Sequence, residues 1–447
     1  MFKNYTKKFV LAALFPLSSL ALAQSTTTYT PCREQLQARE RFENARLGIF
    51  LHWGIYSTFA QGEWYMQNAG VDRQEYPKAA NAFYPHDFDA NKWVEAFRQA
   101  GAGYICFTTR HHDGFSMWDT KQSDFNIMHT PYGKDVVKEL ADACHEQGVG
   151  LHLYYSHIDW TRDDYPMGVT GRNTGKDAAK ADWTSYYRFM NAQLTELLTQ
   201  YGQVDGIWFD GWWDHKDDSI PFNWQLPEQY ALIHGLQPAC MIGNNHHQKP
   251  NEGEDMQMFE RDVPGENKAG MSGQSIGHLP LETCQTMNGM WGYRVEDQNY
   301  KSTQELVQLL VRTAAKGANL LLNIGPQPDG NLPEAALERL KGMGKWLHSQ
   351  AGESIYGTQA GGVAMGDSIV STQSRDGRCL YIHLLKTPTT ATTITLPLNA
   401  HRFAHVSTLM NGEAVAYKYD KRTKQTIFNL PKRKENELID FIIKLNK

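Results

Sequence analysis

The sequence predicts an α/β protein: a (β/α)8-like barrel of the TIM type, which can be imperfect, followed by an antiparallel β-sandwich. Helix-like runs that end in glycine alternate with apolar, strand-like runs through most of the chain. Polar and ionisable residues recur where the strand-like runs end. After Tyr356 the pattern changes to short alternating runs. Together these observations place the barrel at residues 24–356 and the sandwich at residues 357–447.

Five cycles of helix, glycine and apolar strand lie between Arg46 and Pro326. This succession is typical of βα units on a parallel sheet. After a first strand, "LGIFLHWG", the strand-like runs include "AGYICFTTRHHDGF", "VGLHLYYSHIDW", "VDGIWFDGWW", "ACMIGNN" and "ANLLLNIGP". The alternative is a doubly wound open sheet. Its nucleotide-binding versions are disfavoured, because no G-x-G-x-x-G follows an early strand and no G-x-x-x-x-G-K-[ST] occurs.

Polar side chains end several of the predicted strands, and this favours the barrel. In a barrel the carboxyl ends of the strands converge on one active face. Packing alone would not explain seven such positions in successive units. They are His52, His111, His112, Tyr155, His157, Asp210 and Asn244.

The region from about residue 357 to the end contains four short alternating runs separated by Gly, Asp, Pro and Asn. They are "CLYIHLLK", "TTITLPL", "QTIFNLP" and "ELIDFIIKL". Alternation of this kind predicts a small antiparallel domain, most simply a sandwich that packs against the barrel.

The first 24 residues have the pattern of a secretory signal peptide. Lys3, Lys7 and Lys8 precede an apolar run, and Ala21-Leu22-Ala23 comes before Gln24. The apolar run is short for a bilayer span and contains a proline and two serines, so we expect cleavage and not membrane insertion. We therefore expect residues 1–23 to be removed and the mature protein to be exported, to the periplasm or outside the cell.

The overall charge is close to balanced, with 44 Lys+Arg against 49 Asp+Glu. This gives no electrostatic reason to expect a nucleic-acid partner or an anionic membrane surface. The six cysteines are widely spaced and include no C-x-x-C pair, so we expect buried free thiols. A disulfide remains open, since the spacing assigns no pairing.

Asp210 ends the apolar run "GIWF" and has three interpretations. It could cap a following helix, but "GWWDHK" is not a clear helical run. It could bind a metal, but no H-x-x-x-H or D-x-D-x-D spacing supports that. The third interpretation, a nucleophile or general base among aromatic walls, fits the surrounding tryptophans best.

Two further segments carry chemistry that suits a sugar. "HHDGF" contains His111 and His112, and neutral imidazoles donate and accept hydrogen bonds to hydroxyl groups. "GEWY" places Glu63 beside Trp64, so that an apolar ring lies next to a carboxylate that can bind hydroxyls. The histidines could equally belong to a loop or to a metal site, and each tryptophan could belong to the core.

A glycosidase needs a second carboxyl group on the other side of the bond that is cleaved. Three acids after Asp210 compete for this role: Glu260, Glu266 and Glu282. Each could also be an ordinary surface charge, which is the most frequent location of a glutamate.

Taken together, these segments resemble the α-L-fucosidases of glycoside hydrolase family 29, in particular secreted bacterial members. The resemblance rests on the ordered set "RLGIFLHWGIYS", "HHDGFSMWDT", "YYSHIDW", "GIWFDGWW", "NLLLNIGPQPDGNLP" and "IYGT". It covers nearly the whole mature chain. It implies a (β/α) barrel with a C-terminal β-sandwich, and a retaining mechanism in which Asp210 is the nucleophile.

The resemblance also implies a set of fucose-binding positions. In this sequence they are His52, Glu63, Trp64, His111, His112, Tyr155, Trp208 and Trp291. Some relatives have "NDRWG" with a binding arginine where this chain has "GNNHH", so either His246 replaces that arginine or nothing does. The position of the acid/base varies within the family. We prefer Glu260, which precedes a Pro-Gly loop, and Glu282 is the alternative.

The resemblance therefore predicts an exo-acting enzyme that hydrolyses terminal α-L-fucose from oligosaccharides or glycoconjugates and needs neither a metal nor a cofactor. Donors such as His111 or His112 should keep Asp210 ionised. Two alternatives remain: an inactive fucose-binding protein, and a metal-dependent hydrolase built on His52, His111, His112 and Asp210. The sequence does not decide between broad and α1,3/1,4-restricted linkage preference, and it does not give the oligomeric state.

Overall fold

The computed structural model describes residues 29–433 and 439–447. Pro31–Lys447 forms one compact unit. The expected signal peptide, residues 1–23, lies outside the described residues.

The larger part of the unit is a sheet of eight parallel strands that curves into a barrel, as the sequence predicts. Its order is β5-β4-β3-β2-β1-β8-β7-β6. The strands are β1 (Leu47–Leu51), β2 (Tyr104–Arg110), β3 (Gly150–Ser156), β4 (Gly206–Asp210), β5 (Met241–Asn244), β6 (Gln257–Glu260), β7 (Leu281–Thr286) and β8 (Ala318–Ile324). They are buried along nearly their whole length, which explains why they read as continuous apolar runs.

Helices surround the barrel unevenly. They are α1 (Arg33–Ala45), α2 (Tyr65–Ala69), α3 (Ala90–Gln99), α4 (Val136–Gln147), α5 (Trp183–Gln200), α6 (Leu226–Leu236), α7 (Thr303–Ala314) and α8 (Glu334–Leu347). No helix separates β5 from β6 or β6 from β7, and β5 forms no ladder with β6. The barrel is therefore imperfect, and its open seam lies beside the strand that ends in Glu260.

Local sequence signals explain where the main helices begin and end. The side chains of Asp89, Asp135 and Asp182 each accept a hydrogen bond from a backbone N–H in the first turn of α3, α4 and α5. Ser302 and Glu305 form a reciprocal capping box on α7. These caps fix where the helices start.

Eight antiparallel strands follow the barrel in the part of the chain that the structure describes. One sheet has the order β13-β16-β11-β10-β9, and the other has the order β12-β15-β14. The strands are β9 (Thr358–Ala360), β10 (Ile369–Ser374), β11 (Cys379–Leu384), β12 (Thr393–Leu396), β13 (His405–Thr408), β14 (Tyr417–Asp420), β15 (Gln425–Asn429) and β16 (Phe441–Asn446). The two sheets share a separate apolar core, as a sandwich requires.

Within the described residues no helix is both long and apolar enough to cross a membrane. All six cysteines are free, and four of them, Cys106, Cys144, Cys240 and Cys284, are buried. The first three lie among the strands and helices of the barrel, whereas Cys284 reaches the cavity described next.

Candidate active site

A cavity of about 300 Å³ opens at the carboxyl ends of the barrel strands. This is the face on which barrel enzymes carry their active sites. Its lining combines aromatic rings with a few polar groups, the usual composition of a small-molecule site. The lining residues are Phe50, His52, Trp64, His111, His112, Tyr154, Trp208, Asp210, Trp213, Lys216, Asn245, His247, Glu260, Met271, Cys284 and Trp291.

Asp210 is the last residue of β4 and projects into this cavity. Gly211 follows with φ 101°, a conformation that suits glycine and turns the chain sharply at the strand end. Burial raises the pKa of Asp210, and the charge of Glu260 raises it further. Hydrogen bonds from Trp213 and Tyr154 act in the opposite direction.

The donors that stabilise the Asp210 carboxylate differ from those we expected. The Tyr154 hydroxyl donates to Oδ2 at 3.0 Å, and the Trp213 indole N–H donates to Oδ1 at 2.9 Å. Nε2 of His112 is 3.5 Å from Oδ2, and no contact between His111 and Asp210 occurs among the described hydrogen bonds and ion pairs. Of the two expected donors, only His112 contacts Asp210, and it does so at a longer distance than Tyr154 and Trp213. Uncharged donors from a neighbouring strand and from the loop after Asp210 hold the carboxylate.

Glu260 is the last residue of β6 and also projects into the cavity. Burial raises the pKa of its carboxyl group. Contacts with His247 and Asn245 outweigh this effect, so the pKa of Glu260 is lowered overall. Nε2 of His247 lies 3.0 Å from Glu260 Oε2, and the Asn245 amide donates to the same oxygen at 2.9 Å.

A single amide group fixes the spacing of the two carboxylates. Nδ2 of Asn245 is 2.9 Å from Glu260 Oε2 and 3.4 Å from Asp210 Oδ1. These oxygens cannot lie farther apart than the sum of the two distances. This upper bound is compatible with the roughly 5–5.5 Å between the carboxyl groups of retaining glycosidases.

Three buried histidines at the cavity wall are neutral. Burial lowers the pKa of His52 and of His112 to about 3, and it lowers the pKa of His111 well below its usual value. His52 Nδ1 contacts Asn323 Oδ1 at 2.6 Å, and His112 Nδ1 contacts Ser156 Oγ at 2.7 Å. A neutral imidazole offers one donor and one acceptor, which matches the needs of a sugar hydroxyl.

Tryptophans form the remaining walls. Trp64 stacks on Trp213 with ring centroids 5.8 Å apart, and Trp208 stacks on Tyr154 at 5.5 Å. Trp291 lies 5.3 Å from His52 on another side. Flat apolar surfaces of this kind cover the C–H faces of a ring while the polar groups orient its hydroxyls.

Six of the nine predicted substrate-binding residues line the cavity: His52, Trp64, His111, His112, Trp208 and Trp291. Asp210 and Glu260 line the same cavity. Their roles in binding stay predictions. The three others, Tyr155, His246 and Glu63, lie elsewhere.

Tyr155 and His246 are each one residue away from the side chain that reaches the cavity. The Tyr155 hydroxyl donates to Gln193 Oε1 at 2.7 Å on the helix side of the sheet, whereas Tyr154 points inward. Neighbouring residues of a strand face opposite sides, so only one of the two tyrosines can line the site. His246 is buried against Glu254 with its Nε2 at 3.1 Å, and His247 faces Glu260 instead. The cavity is therefore lined by Tyr154 and His247 and not, as predicted, by Tyr155 and His246.

Glu63 lies behind the cavity wall. It is buried and accepts a hydrogen bond from the Gly292 N–H at 2.7 Å, so it anchors the loop that carries Trp291. The lining includes Trp64 but not Glu63. Two other strand-end residues form hydrogen bonds with residues outside the cavity lining. His157 contacts Gln229, and Asn244 donates to Tyr230.

Glu282, the alternative acid/base, lies below the floor of the cavity. Its register partner in β6 is Met258, two residues before Glu260, and it is only 1% exposed. Tyr104 donates to one oxygen, and the Trp208 indole N–H donates to the other at 2.8 Å. Burial raises the pKa of Glu282 to about 7. From this position Glu282 anchors Trp208. It lies too far below the cavity to contact a leaving group directly. Glu266, the third acid, pairs with Arg312.

The structure adds cavity residues that the sequence analysis missed. Tyr154, Trp213, Asn245 and His247 each contact at least one of the two carboxylates. Tyr154 is the register partner of Trp208, which lies two residues before the inward-facing Asp210, but the sequence alone does not give this register. No such periodicity exists in the loops that hold His247 and Asn245.

No group of three or more His, Cys, Asp or Glu side chains that could hold a metal ion occurs in the part of the chain that the structure describes. His52 and His112 each use one ring nitrogen in a contact with a neighbouring side chain. The geometry therefore gives no support to the metal-dependent alternative.

Comparison with known proteins gives a consistent result. A family model described as Alpha-L-fucosidase matches residues 17–352. Among curated proteins, the plasma alpha-L-fucosidase of Homo sapiens is 30% identical over 371 residues, 75% of this chain and 73% of that protein. Among solved structures, the alpha-L-fucosidase isoenzyme 1 of Paenibacillus thiaminolyticus is 31% identical with a TM-score of 0.81, covering 92% of this chain and 99% of that one. The alpha-L-fucosidase of Vibrio sp. strain EJY3 is 25% identical with a TM-score of 0.79, covering 92% of this chain and 72% of that one.

Proposed function

The chain belongs to the α-L-fucosidase family, and from this premise we propose an exo-acting, retaining enzyme that removes terminal α-L-fucose from oligosaccharides or glycoconjugates. The observation that supports this most strongly is the pair of carboxylates, Asp210 and Glu260, with the Asn245 amide between them. Their spacing suits double displacement. The surrounding neutral imidazoles and indole rings suit a sugar that carries both hydroxyl groups and a methyl group.

In the first step Asp210 attacks C1 of fucose and forms a covalent ester. The bond between C1 and the leaving oxygen breaks, its electron pair stays on that oxygen, and Glu260 gives the oxygen a proton. Tyr154 and Trp213 hold the Asp210 carboxylate in place for attack. They donate hydrogen bonds without adding charge, so the carboxylate keeps its nucleophilic character.

In the second step a water molecule attacks C1 while Glu260 accepts its proton. The ester bond breaks, its electron pair returns to Asp210, and fucose leaves with its original anomeric configuration. All of this chemistry uses the chain's own side chains. Glu260 acts first as an acid and then as a base, and its environment must support both forms.

The proposal is tested by assaying the purified protein on an aryl α-L-fucoside, with and without a chelator. We expect hydrolysis at a rate that the chelator leaves unchanged, because the residues assigned to the chemistry form no metal-binding group. The matched control is the corresponding aryl β-D-galactoside, which should be a much poorer substrate. Fucose binding without hydrolysis would indicate an inactive binding protein, and loss of activity with chelator would indicate a metal-dependent hydrolase.

We also propose that the protein is a secreted bacterial enzyme, located in the periplasm or outside the cell. The support is the basic, apolar and A-x-A pattern that ends at Ala23, together with the similarity to a Paenibacillus fucosidase. The mature N-terminus should be Gln24. Recovery of the intact chain in the cytoplasm, with Met1 retained, would contradict this.

A further inference from the structure

Two residues next to the catalytic acids have an unusual backbone conformation. His247 and Arg261 have φ values of 61° and 60°, in the left-handed region that side chains other than glycine rarely adopt. His247 lies in the loop after β5, and Arg261 directly follows Glu260. Strain of this kind persists where the surrounding structure enforces it, and it concentrates at functional sites.

The strained conformation of His247 accompanies a specific contact. Its Nε2 lies 3.0 Å from Glu260 Oε2, the oxygen that also accepts the Asn245 amide hydrogen. Among the described residues these are the only side chains that contact the Glu260 carboxyl group through hydrogen bonds. The other carboxyl oxygen, Oε1, makes no such bond and therefore stays available to a substrate.

The proposed mechanism, on which this inference rests, assigns no role to His247. We propose that His247 is a positioning residue that acts through Glu260: its imidazolium form fixes the carboxylate and keeps it ionised as the general base of the second step. The residue does not touch the reacting atoms. It influences the reaction through the charge and orientation of its partner.

Other charged groups near this pair are less well placed to do this. Lys216 lines the same cavity from the loop after β4, but no contact with Glu260 is found among the described ion pairs. The guanidinium of Arg261 lies 4.8 Å from the ring centre of Trp291 and donates to the Gly289 carbonyl. Asp210 is the only other carboxylate in the lining, and its charge repels that of Glu260. The charge of Arg261 lowers the pKa of Glu260 from a distance, whereas His247 is the one basic side chain among the described ion pairs in direct contact with Glu260.

The catalytic cycle explains why such a partner is useful. Before the first step, repulsion between the two carboxylates disfavours the state in which Asp210 and Glu260 are both ionised. Once Asp210 becomes an ester, that repulsion disappears and the imidazolium of His247 favours the ionised form. In the free enzyme the contact with His247 already lowers the pKa of Glu260, more than any other side chain does, and the same contact favours the ionised form in the second step.

The test uses the variant His247→Gln, which retains a side-chain donor but cannot carry a charge. The substrate is 2,4-dinitrophenyl α-L-fucoside, whose leaving group needs no proton, so that the second step limits kcat. We expect the acidic limb of the kcat profile to move to higher pH by roughly one to three units, the usual effect of removing a nearby opposite charge. kcat/KM for a fucosyl disaccharide, which depends on protonated Glu260, should fall much less at the same pH.

His246→Gln is the matched control, since it breaks a buried contact in the same loop without touching Glu260. It should leave the position of the acidic limb unchanged even where the yield of folded protein falls. An acidic limb in His247→Gln that coincides with that of the wild type would overturn the inference, including when kcat falls equally at every pH. In that case the active wild type would leave the proposed function intact, whereas an inactive wild type would overturn both.

Discussion

Replacement of Asp210 by Asn should lower kcat/KM on an aryl α-L-fucoside by roughly 10⁴-fold or more, as for other residues on which a covalent mechanism depends. The amide is nearly the same size and keeps contacts with Tyr154 and Trp213 within reach, but it is a far weaker nucleophile. The fold should survive because the side chain lies in a cavity and not in the packed core. Steady-state kinetics, together with a melting curve of each protein, provides the measurement.

Asp217→Asn is the matched control, because Asp217 lies seven residues later, in the same loop, and is exposed. It should retain essentially full activity. If Asp210→Asn turned over aryl fucoside at a rate close to that of the wild type, Asp210 could not be the nucleophile.

Removal of Glu260 should have the second large effect, and the effect should depend on the leaving group. In Glu260→Ala a substrate with a poor leaving group should react roughly 10²–10⁴-fold more slowly, since general acid catalysis contributes about that much. A dinitrophenyl fucoside should still form the covalent intermediate. Azide should then accelerate turnover and give a fucosyl azide, because this anion attacks C1 without needing a general base.

Glu282→Ala distinguishes the two candidate acids. It removes the acceptor for Tyr104 and for the Trp208 N–H below the cavity floor, so we expect a less stable protein. Azide should not accelerate the residual activity of Glu282→Ala. The loss of activity should be similar for substrates with good and with poor leaving groups. Azide acceleration in Glu282→Ala but not in Glu260→Ala would reverse the assignment of the acid/base.

Much of the barrel could be predicted because its strands and helices carry strong periodic signals. Apolar strands between capped helices, such as α3 and α4, follow from local sequence alone. The segments between β5, β6 and β7 lack such signals, because they contain no helix. The run "ACMIGNN" still predicts β5, but the four residues of β6, with no helix before them, give no decisive pattern. The imperfect closure of the barrel is therefore a feature that the structure supplies.

The residues of the site also divide into those that the sequence could identify and those that needed the structure. Asp210 ends a strand after an apolar run and could be identified from that position. Glu260 is preferred because it precedes a Pro-Gly loop, as the resemblance implies, and its place at the end of β6 comes from the structure. The choice between Tyr154 and Tyr155 depends on which face of β3 points inward, and a shift of one residue reverses that answer. The choice between His246 and His247 depends on a loop with a left-handed residue, for which sequence offers no periodicity. Glu282 could be recognised as an anchor only once its register relative to Glu260 was known.

The most direct test of the proposed mechanism is to trap the covalent intermediate. The fluorine at C2 of 2-fluoro-fucosyl fluoride slows both steps, whereas the fluoride at C1 is a good leaving group. The covalent ester should therefore form and accumulate during incubation. Mass spectrometry of the intact protein should then show one added fluorofucosyl group, and peptide mapping should locate it on Asp210. A protein that turns over fucosides but forms no adduct, or carries the adduct on another residue, would contradict a double displacement through Asp210.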